Sequence, residues 1–337
     1  MSEAQDAVLA TLAEALCDAP QPTLVWGERL EGLAELAADA GPLRGYTDDL
    51  PTSRSLGYPI GLRPEPGPER RVALVMPRAK ALLDLRVAEA RALLADGGEI
   101  WVAGHQQDGV RSAETLLGEL GPVEVVHVKR RCRVAVVRLE PSPASVAPDL
   151  ALHEARVAVP GRHFDLELVT LPGVFSHGRL DAATEALLGV LDAREPGYRR
   201  ALDVGCGGGV LGAWAARRRP RATVDLVDVS ALACEAARRT LAANGVEGHV
   251  HLGEPEELAK AAWDLVISNP PRHEGRDHAH DLTARLIDAS AWRLGRGGRY
   301  FCVANHAKSV TEALERNFRT VEVAVQAPAF RVWDCTR

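Results

Sequence analysis

No two cysteines in this sequence are spaced Cys-x-x-Cys. Cys17, Cys132, Cys206, Cys234, Cys302 and Cys335 stand far apart, which excludes a zinc knuckle or a disulfide framework and fits scattered buried thiols in a reducing compartment. No apolar run reaches the length of a membrane span, and the N-terminus lacks the basic-then-apolar pattern of a secretion signal. The expectation is a cytoplasmic protein without a membrane partner. A positive charge balance is also missing: the formal net charge is −6. Nothing draws the whole molecule to nucleic acid, so any contact with RNA must use local basic patches. The six tryptophans are isolated from one another, as core residues are, and form no row of stacking platforms.

What is present is ordinary for a globular chain: 337 residues, 46% hydrophobic and 26% charged. That length suggests two domains, each with its own core. Residues 3–17 have helical spacing, Thr23–Trp26 reads as a short strand, Glu28–Ala40 as a helix closed by Gly41-Pro42, and 51–70 as a long loop. A clearer series follows: strand Val72–Met76, helix Ala79–Ala95, Gly97-Gly98, strand Glu99–Ala103, helix Ser112–Leu120, then strands Val123–Val128 and Arg133–Leu139. Pro141–Pro148 reads as a linker.

The C-terminal part repeats that order. Strand Leu265–Ser268, helix Leu282–Leu294, Gly297-Gly298, strand Arg299–Ala304, helix Val310–Asn317 and strands Val321–Gln326 and Phe330–Asp334 recur about one domain later. The expectation is a duplicated α/β fold. The chemistry is not repeated. Asn269-Pro270-Pro271 follows the later strand where Val75-Met76-Pro77 ends the earlier one, and the first half has no glycine-rich loop after its first strand. The domains are placed at 1–140 and 151–337, with 141–150 between them.

Two stretches carry chemistry. In Asp203-Val204-Gly205-Cys206-Gly207-Gly208-Gly209 a strand runs into glycines and then into a helix at Val210–Arg218. Glycines let a ligand approach the main chain, and the helix start offers free N–H groups. A second strand, Thr223–Val227, ends at Asp228, where an acid can accept from a ribose diol. Gly207-x-Gly209-x-x-Gly212 alone would also fit a dinucleotide fingerprint. Asp203 before the glycines, together with Asn-Pro-Pro after a later strand, favours S-adenosyl-L-methionine. The second stretch is Ser268-Asn269-Pro270-Pro271-Arg272. Its prolines end a buried strand and hold one amide in a fixed pose. That amide offers one acceptor oxygen and two donors, so it can grip a planar NH2 but is no strong base.

With these residues the C-terminal half, from about residue 160, resembles class I S-adenosylmethionine-dependent methyltransferases. Within them it resembles the RsmC/RlmG group of ribosomal RNA guanine-N2 methyltransferases. The resemblance rests on Leu171-Pro172-Gly173-Val174-Phe175-Ser176, Leu180-Asp181 with Thr184, Asp203–Gly207, Asp228-Val229-Ser230, Ala242–Val246, Ser268–Pro271 and His273-x-Gly275. It implies tandem Rossmann-like methyltransferase domains, the first degenerate and serving RNA binding or stability, the second catalytic. It implies cofactor contacts from Phe175, Ser176, Asp203, Gly205, Cys206, Gly207, Gly209, Asp228, Val229, Glu254 (near the adenine amine) and Asn269. It implies catalysis by Asn269, Pro270 and Pro271, and substrate contacts from Asp181, Arg272 and His273. Its implied reaction is methyl transfer to guanine N2, most readily in small-subunit (16S) rRNA, by a monomer without a metal. Other outcomes consistent with the motif are methylation of adenine N6 or a protein glutamine, or a catalytically silent RNA- or ribosome-binding protein. One departure stands out. The family places an aromatic where this chain has Arg272, whose guanidinium plane can also stack on a base.

Three further features have plainer readings. Asp277-His278-Ala279-His280-Asp281 has no further metal ligand at a known spacing and reads as a polar loop. Lys129-Arg130-Arg131-Cys132-Arg133 and Arg217-Arg218-Arg219-Pro220-Arg221 suit phosphates, although solvated faces and helix-end charges look the same. The first cluster is the better RNA contact.

Overall fold

A computed structural model describes all residues except 1–2, 95–96, 142–146, 261 and 271–275, and leaves the side chains of 276–281 undescribed. The chain divides into two compact units, Met1–His153 and Glu154–Arg337. The division lies just past the expected linker, whose centre falls outside the described residues.

The first unit runs α1 (Glu3–Asp18), β1 (Thr23–Trp26), α2 (Leu33–Leu36), β2 (Leu43–Tyr46), α3 (Leu50–Leu56), β3 (Arg71–Val75), α4 (Lys80–Leu93), β4 (Gly98–His105), α5 (Arg111–Gly118), β5 (Val123–Lys129) and β6 (Cys132–Leu139). Its sheet has the order β2-β1-β3-β4-β6-β5, parallel as far as β4 and antiparallel beyond. Two expectations fail here. Glu28–Ala40 is not one helix: Arg29 (φ 56°) and Gly32 (φ 80°) take left-handed conformations, and only the four residues of α2 are helical. The stretch 51–70 is not all loop either, because Asp49 caps α3 by accepting from the Thr52 N–H at 2.9 Å and Pro51 sits in its first turn.

The second unit opens with an antiparallel hairpin, β7 (Ala155–Val159) and β8 (Leu166–Thr170). It continues α6 (Ala182–Arg194), β9 (Arg200–Val204), α7 (Val210–Arg218), β10 (Thr223–Asp228), α8 (Ala231–Ala243), β11 (His249–Leu252), β12 (Trp263–Ser268), α9 (Arg276–Arg293), β13 (Leu294–Ala304), α10 (Lys308–Asn317), β14 (Thr320–Gln326) and β15 (Arg331–Thr336). Asp277–Asp281, expected as a loop, lies in the first turns of α9. The sheet order is β11-β10-β9-β12-β13-β15-β14, with β11 to β13 parallel. Helices α6, α7 and α8 cover one face over Ala201, Leu226, Leu265 and Phe301; α9 and α10 cover the other over Leu202, Val204, Val266 and Tyr300. Strands buried on both faces read as unbroken apolar runs, which is why Leu265-Val266-Ile267 was legible.

The two sheets share one layout. β1, β2, β3, β4, β6 and β5 occupy the places of β9, β10, β12, β13, β15 and β14; in the place of β11 the described residues have a single parallel bridge, Thr47 to Ile60. Register makes the correspondence residue by residue. Trp26 pairs with Leu74 and Tyr46, as Val204 pairs with Ser268 and Val227. The places of Asp203, Asp228 and Asn269 are therefore held in the first unit by Val25, Thr47 and Val75. The three polar groups are replaced while the scaffold is kept.

Candidate active site

The site is built where the strand order of the second sheet reverses. From β9 the chain moves outward through β10 and β11, then returns to the other side of β9 as β12. Open α/β sheets bind ligands at such a switch point, outside the carboxyl ends of the strands. Val204 is the register partner of both Val227 and Ser268. Asp228, Gly205 and Asn269 therefore leave three adjacent strands in a row about 10 Å long, two strand spacings. The Ser268 hydroxyl donates to the Val204 carbonyl at 2.8 Å and ties the ends of β12 and β9 together.

The glycine loop is pinned to β10. The Gly205 and Cys206 N–H groups both donate to the Val227 carbonyl, at 2.9 and 3.1 Å. Gly207 donates to Asp228 Oδ2 and Ser230 to Oδ1, each at 2.9 Å. Gly205 (φ 67°) and Gly207 (φ 51°) are left-handed, and a Cβ added to either would meet nothing within 4 Å. At Gly209 (φ 75°) a Cβ would lie 2.7 Å from the Ala237 Cβ. Within one loop, then, two glycines border open space and one lets α7 and α8 touch. Cys206 is a buried thiol, and burial raises its pKa well above the ordinary range, so it is no nucleophile.

Asp203 is buried at the foot of α7. Its Oδ2 accepts from the Gly212 N–H at 2.9 Å; its Oδ1 has no hydrogen-bond partner among the described residues. Burial raises its pKa to about 7, with the Asp228 charge adding to the rise and the Gly212 N–H opposing it. A buried acceptor left unpaired costs about 1–3 kcal/mol, which a cationic donor from a ligand would remove.

Asn269 is fixed on one side only. Its Nδ2 donates to Thr184 Oγ1 at 2.8 Å and to Asp181 Oδ2 at 3.2 Å, while Oδ1 is buried and unpaired among the described residues. Asp181 is the N-cap of α6 and also accepts from the Ala183 and Thr184 N–H groups, both at 3.1 Å. Asp181, expected as a substrate contact, lies against Asn269 and the start of α6. Thr184 belonged to the resembling segment but had no assigned role; no local pattern reveals a contact spanning 85 residues.

The other expected residues are placed unevenly. The segment after β8 adjoins the glycine loop, since a Cβ on Gly208 would lie 3.4 Å from the Thr170 side chain. There Phe175 is 52% exposed and Ser176 takes a left-handed φ of 60°. The Thr170 hydroxyl braces this segment through the Gly178 N–H and the His177 ring, at 3.0 and 3.1 Å, a link that sequence reasoning missed. Val229 follows Asp228 directly and is half-buried. Glu254 follows β11, whose Leu252 is the register partner of Asp228. Its Oε1 accepts from Arg285 at 3.0 Å, so it faces an ion pair as well as the end of β11. Pro270 is buried beside Asn269; Pro271, Arg272 and His273 lie outside the described residues. Among the described residues no three His, Cys, Asp or Glu side chains group to hold a metal ion, and no helix is long and apolar enough to cross a membrane.

An open glycine cradle, an acid at the end of the next strand and an Asn-Pro pair just past the strand on the other side define a Rossmann-like methyltransferase of class I. The methyltransferase small domain family matches residues 165–334, and its N-terminal companion matches 62–152. The chain belongs to that family, in its RsmC group. It is 37% identical over 269 residues to ribosomal RNA small subunit methyltransferase C of Pseudomonas aeruginosa (strain LESB58), covering 78% of each chain. It is 38% identical over 257 residues to the protein of that name from Escherichia coli (strain K12), covering 76% of this chain and 72% of the other. A T. thermophilus 16S rRNA N2 methyltransferase (RsmC), solved with AdoMet and guanosine, has the same fold, with a TM-score of 0.81 at 23% identity over 96% of this chain and 91% of its own.

Proposed function

We propose that this chain transfers a methyl group from S-adenosyl-L-methionine to the exocyclic N2 of a guanine in small-subunit ribosomal RNA. The observation that carries the assignment is the Asn269 amide. Both of its N–H bonds are engaged behind it, and a buried, unpaired carbonyl oxygen remains beside the glycine cradle. The names of the relatives support the nucleic-acid substrate, as do the AdoMet and guanosine of the T. thermophilus protein.

The residues present fit the cofactor. Gly205 and Gly207 border open space, Asp203 offers an unpaired oxygen for an ammonium group, and Asp228 stands at the next strand end for ribose hydroxyls. Cys206, Gly209 and Val229 shape the same loops, and Phe175 and Ser176 form the cover. S-adenosyl-L-methionine supplies an electrophilic methyl carried on sulfur. The protein's task is to present the nucleophile. Guanine N2 is weak because its lone pair is delocalised into the ring. Asn269 Oδ1 and the Pro270 carbonyl each accept one of its N–H bonds, favour a tetrahedral nitrogen and aim the lone pair. No strong base is needed beforehand, because the amine becomes acidic once alkylated and sheds its proton afterwards. Orientation in a water-poor pocket supplies most of the rate.

The first unit contributes RNA phosphate contacts. Its β5–β6 turn presents Lys129, Arg130 and Arg131, all exposed, with Arg130 (φ 52°) and Arg131 (φ 61°) in left-handed conformations that non-glycine residues avoid. Such strain persists where a turn is put to use. Glu14 neutralises part of this patch through Lys129 and Arg130, at 2.8 and 2.9 Å. The Arg217–Arg219 cluster is more structural: Arg218 pairs with Glu195 at 2.9 Å and Arg219 donates to the Pro196 carbonyl. The protein works in the cytoplasm, as a monomer, on rRNA or a ribosomal subunit.

Methyl-labelled cofactor incubated with purified 30S subunits and 16S rRNA, followed by nucleoside analysis, tests the assignment. Label is expected in N2-methylguanosine. Label in N6-methyladenosine or in protein would overturn it, and tight RNA binding without incorporation would mark a silent relative. Asn269→Ala is expected to lower kcat by about 10²- to 10³-fold or more, with cofactor affinity retained.

A further inference from the structure

Asn269 is useful to an amine only in one of its two orientations. A carboxamide has nearly the same shape after a half-turn about its last bond, which exchanges the oxygen and the NH2. With the oxygen toward the substrate it accepts an amine N–H. With the NH2 toward the substrate, donor meets donor and the amine is repelled. Something must select the first orientation, and the selection has to be made behind the amide.

The geometry points to Asp181 as the residue that sets this orientation, with Thr184 holding the second N–H: both are positioning residues for the reaction, not substrate contacts. Their roles differ by chemistry. A hydroxyl both donates and accepts, so Thr184 alone would tolerate either face of the amide. An ionised carboxylate only accepts, so Asp181 Oδ2, 3.2 Å away, requires the NH2 on its side. That oxygen is itself anchored by the Ala183 and Thr184 N–H groups of the first turn of α6. Asn269 is thereby referenced to a helix end, not to a mobile side chain. The unpaired Oδ1 is what this arrangement leaves facing away. The role presupposes that Asn269 grips an amine, and the experiment separates the two ideas.

Asp181→Ser is the informative variant. One oxygen, Oδ2, both caps α6 and accepts from Asn269, so an asparagine that kept the cap would keep the contact too. Serine is as good an N-cap as aspartate, so α6 keeps its start. Its hydroxyl both donates and accepts, so it no longer excludes the wrong face of the amide. Single-turnover rates and KM for rRNA, together with cofactor affinity by calorimetry, are compared for Asp181→Ser, Thr184→Val, Thr184→Ser and Asn269→Ala. Expected for Asp181→Ser is a loss of about 10- to 100-fold in kcat, the scale of a slightly misplaced group, with KM and cofactor Kd within about twofold. Thr184→Val loses less, and Thr184→Ser restores the rate. In an Asn269→Ala background Asp181→Ser has no further effect, because the amide it orients is gone. Wild-type kcat in Asp181→Ser, with Asn269→Ala inactive, would sink the positioning role alone. A rise in KM for rRNA with kcat kept would return Asp181 to the substrate. Full activity of Asn269→Ala would sink the gripping role and this one with it.

Discussion

The two sheets of this chain carry the same strand order, and they differ most where a ligand would sit. At the carboxyl ends of β9, β10 and β12 the second unit keeps open space beside Gly205 and Gly207 and leaves single oxygens of Asp203 and Asn269 unpaired. At the equivalent edge of the first unit the gap is closed. A Cβ on Gly27, the counterpart of Gly205, would lie 2.9 Å from the Cβ of Val75, which stands in the place of Asn269. Leu30 is fully buried behind it. A charged cluster fills the neighbouring edge: Arg86 binds Asp48, approaches Glu28 at 3.8 Å and lies over the Trp26 ring at 5.5 Å. Glu89 is buried nearby and its pKa is raised to about 7 by that burial. The difference shows how a duplicated scaffold gives up a pocket. The strands stay because they carry the core, and the loops at their ends are free to fill. One cofactor site per chain is the expected outcome, readable as calorimetric stoichiometry.

The largest effect is expected from breaking the filled edge. Arg86→Met removes the partner of a buried carboxylate, and breaking a buried pair from one side costs about 3–5 kcal/mol. Urea unfolding should register that loss in the first unit, while cofactor Kd and kcat at low temperature stay within about twofold. If Arg86→Met instead abolished cofactor binding, the first unit's cluster would belong to a working site and the contrast between the sheets would fail.

Next in size is the effect of pH on the open edge, through Asp203. Its folded pKa is raised from 3.8 to about 7 by burial. A group raised on folding stabilises below its unfolded pKa, and here that contribution is lost as pH climbs from about 4 through 7. The full shift corresponds to about 4 kcal/mol as an upper bound. In the free protein Asp203→Asn should therefore be no less stable than wild type at pH 8, and relatively less favoured at pH 4. Cofactor binding should run the other way. If the ionised carboxylate holds an ammonium group, Kd falls about tenfold per pH unit up to about pH 7 and then levels. Asp203→Asn should weaken binding at pH 8 and flatten the profile. A wild-type Kd without pH dependence between 5 and 8 would remove Asp203 from the ammonium.

How much of this was legible beforehand depended on the range of the contacts involved. β9, β10 and β12 were readable because buried parallel strands are apolar runs, and Asp203, Asp228 and Asn269 were readable because they interrupt or end those runs. The duplication was readable from Gly97-Gly98, at the start of β4, and Gly297-Gly298, in the first half of the equivalent β13. β2 was missed: Leu43-Arg44-Gly45-Tyr46 is short, lies at a sheet edge and contains a glycine. The helix expected at Glu28–Ala40 had the right periodicity, but left-handed Arg29 and Gly32 cut it down to one turn. In the site, the groups at the strand ends stood out in the sequence, and the bonds that hold them did not. Asp181 was noticed, but its bond to Asn269 was not foreseen. Asp181 to Asn269 spans 88 residues, and only folding brings them together.

The smallest effect on stability, and the sharpest test of the open edge, is expected from Gly207→Ala. A left-handed φ of 51° costs an L-residue about 1–2 kcal/mol, and nothing within 4 Å adds a steric penalty. Stability should fall by about that much and no more. The same change at Gly209 should cost further, because its Cβ would lie 2.7 Å from the Ala237 Cβ and 2.8 Å from the Ala237 Cα, which are backbone-fixed and cannot yield. The order reverses for ligand binding. A methyl group on Gly207 enters the space the cofactor would use, so Gly207→Ala should raise cofactor Kd by at least about tenfold in a protein that remains folded. Gly209→Ala, measured where it is still folded, should disturb Kd less than it disturbs stability. Equal Kd in Gly207→Ala and wild type would mean that the open space beside this loop is not the cofactor's, and the difference between the two sheets would then have to be sought elsewhere along their edges.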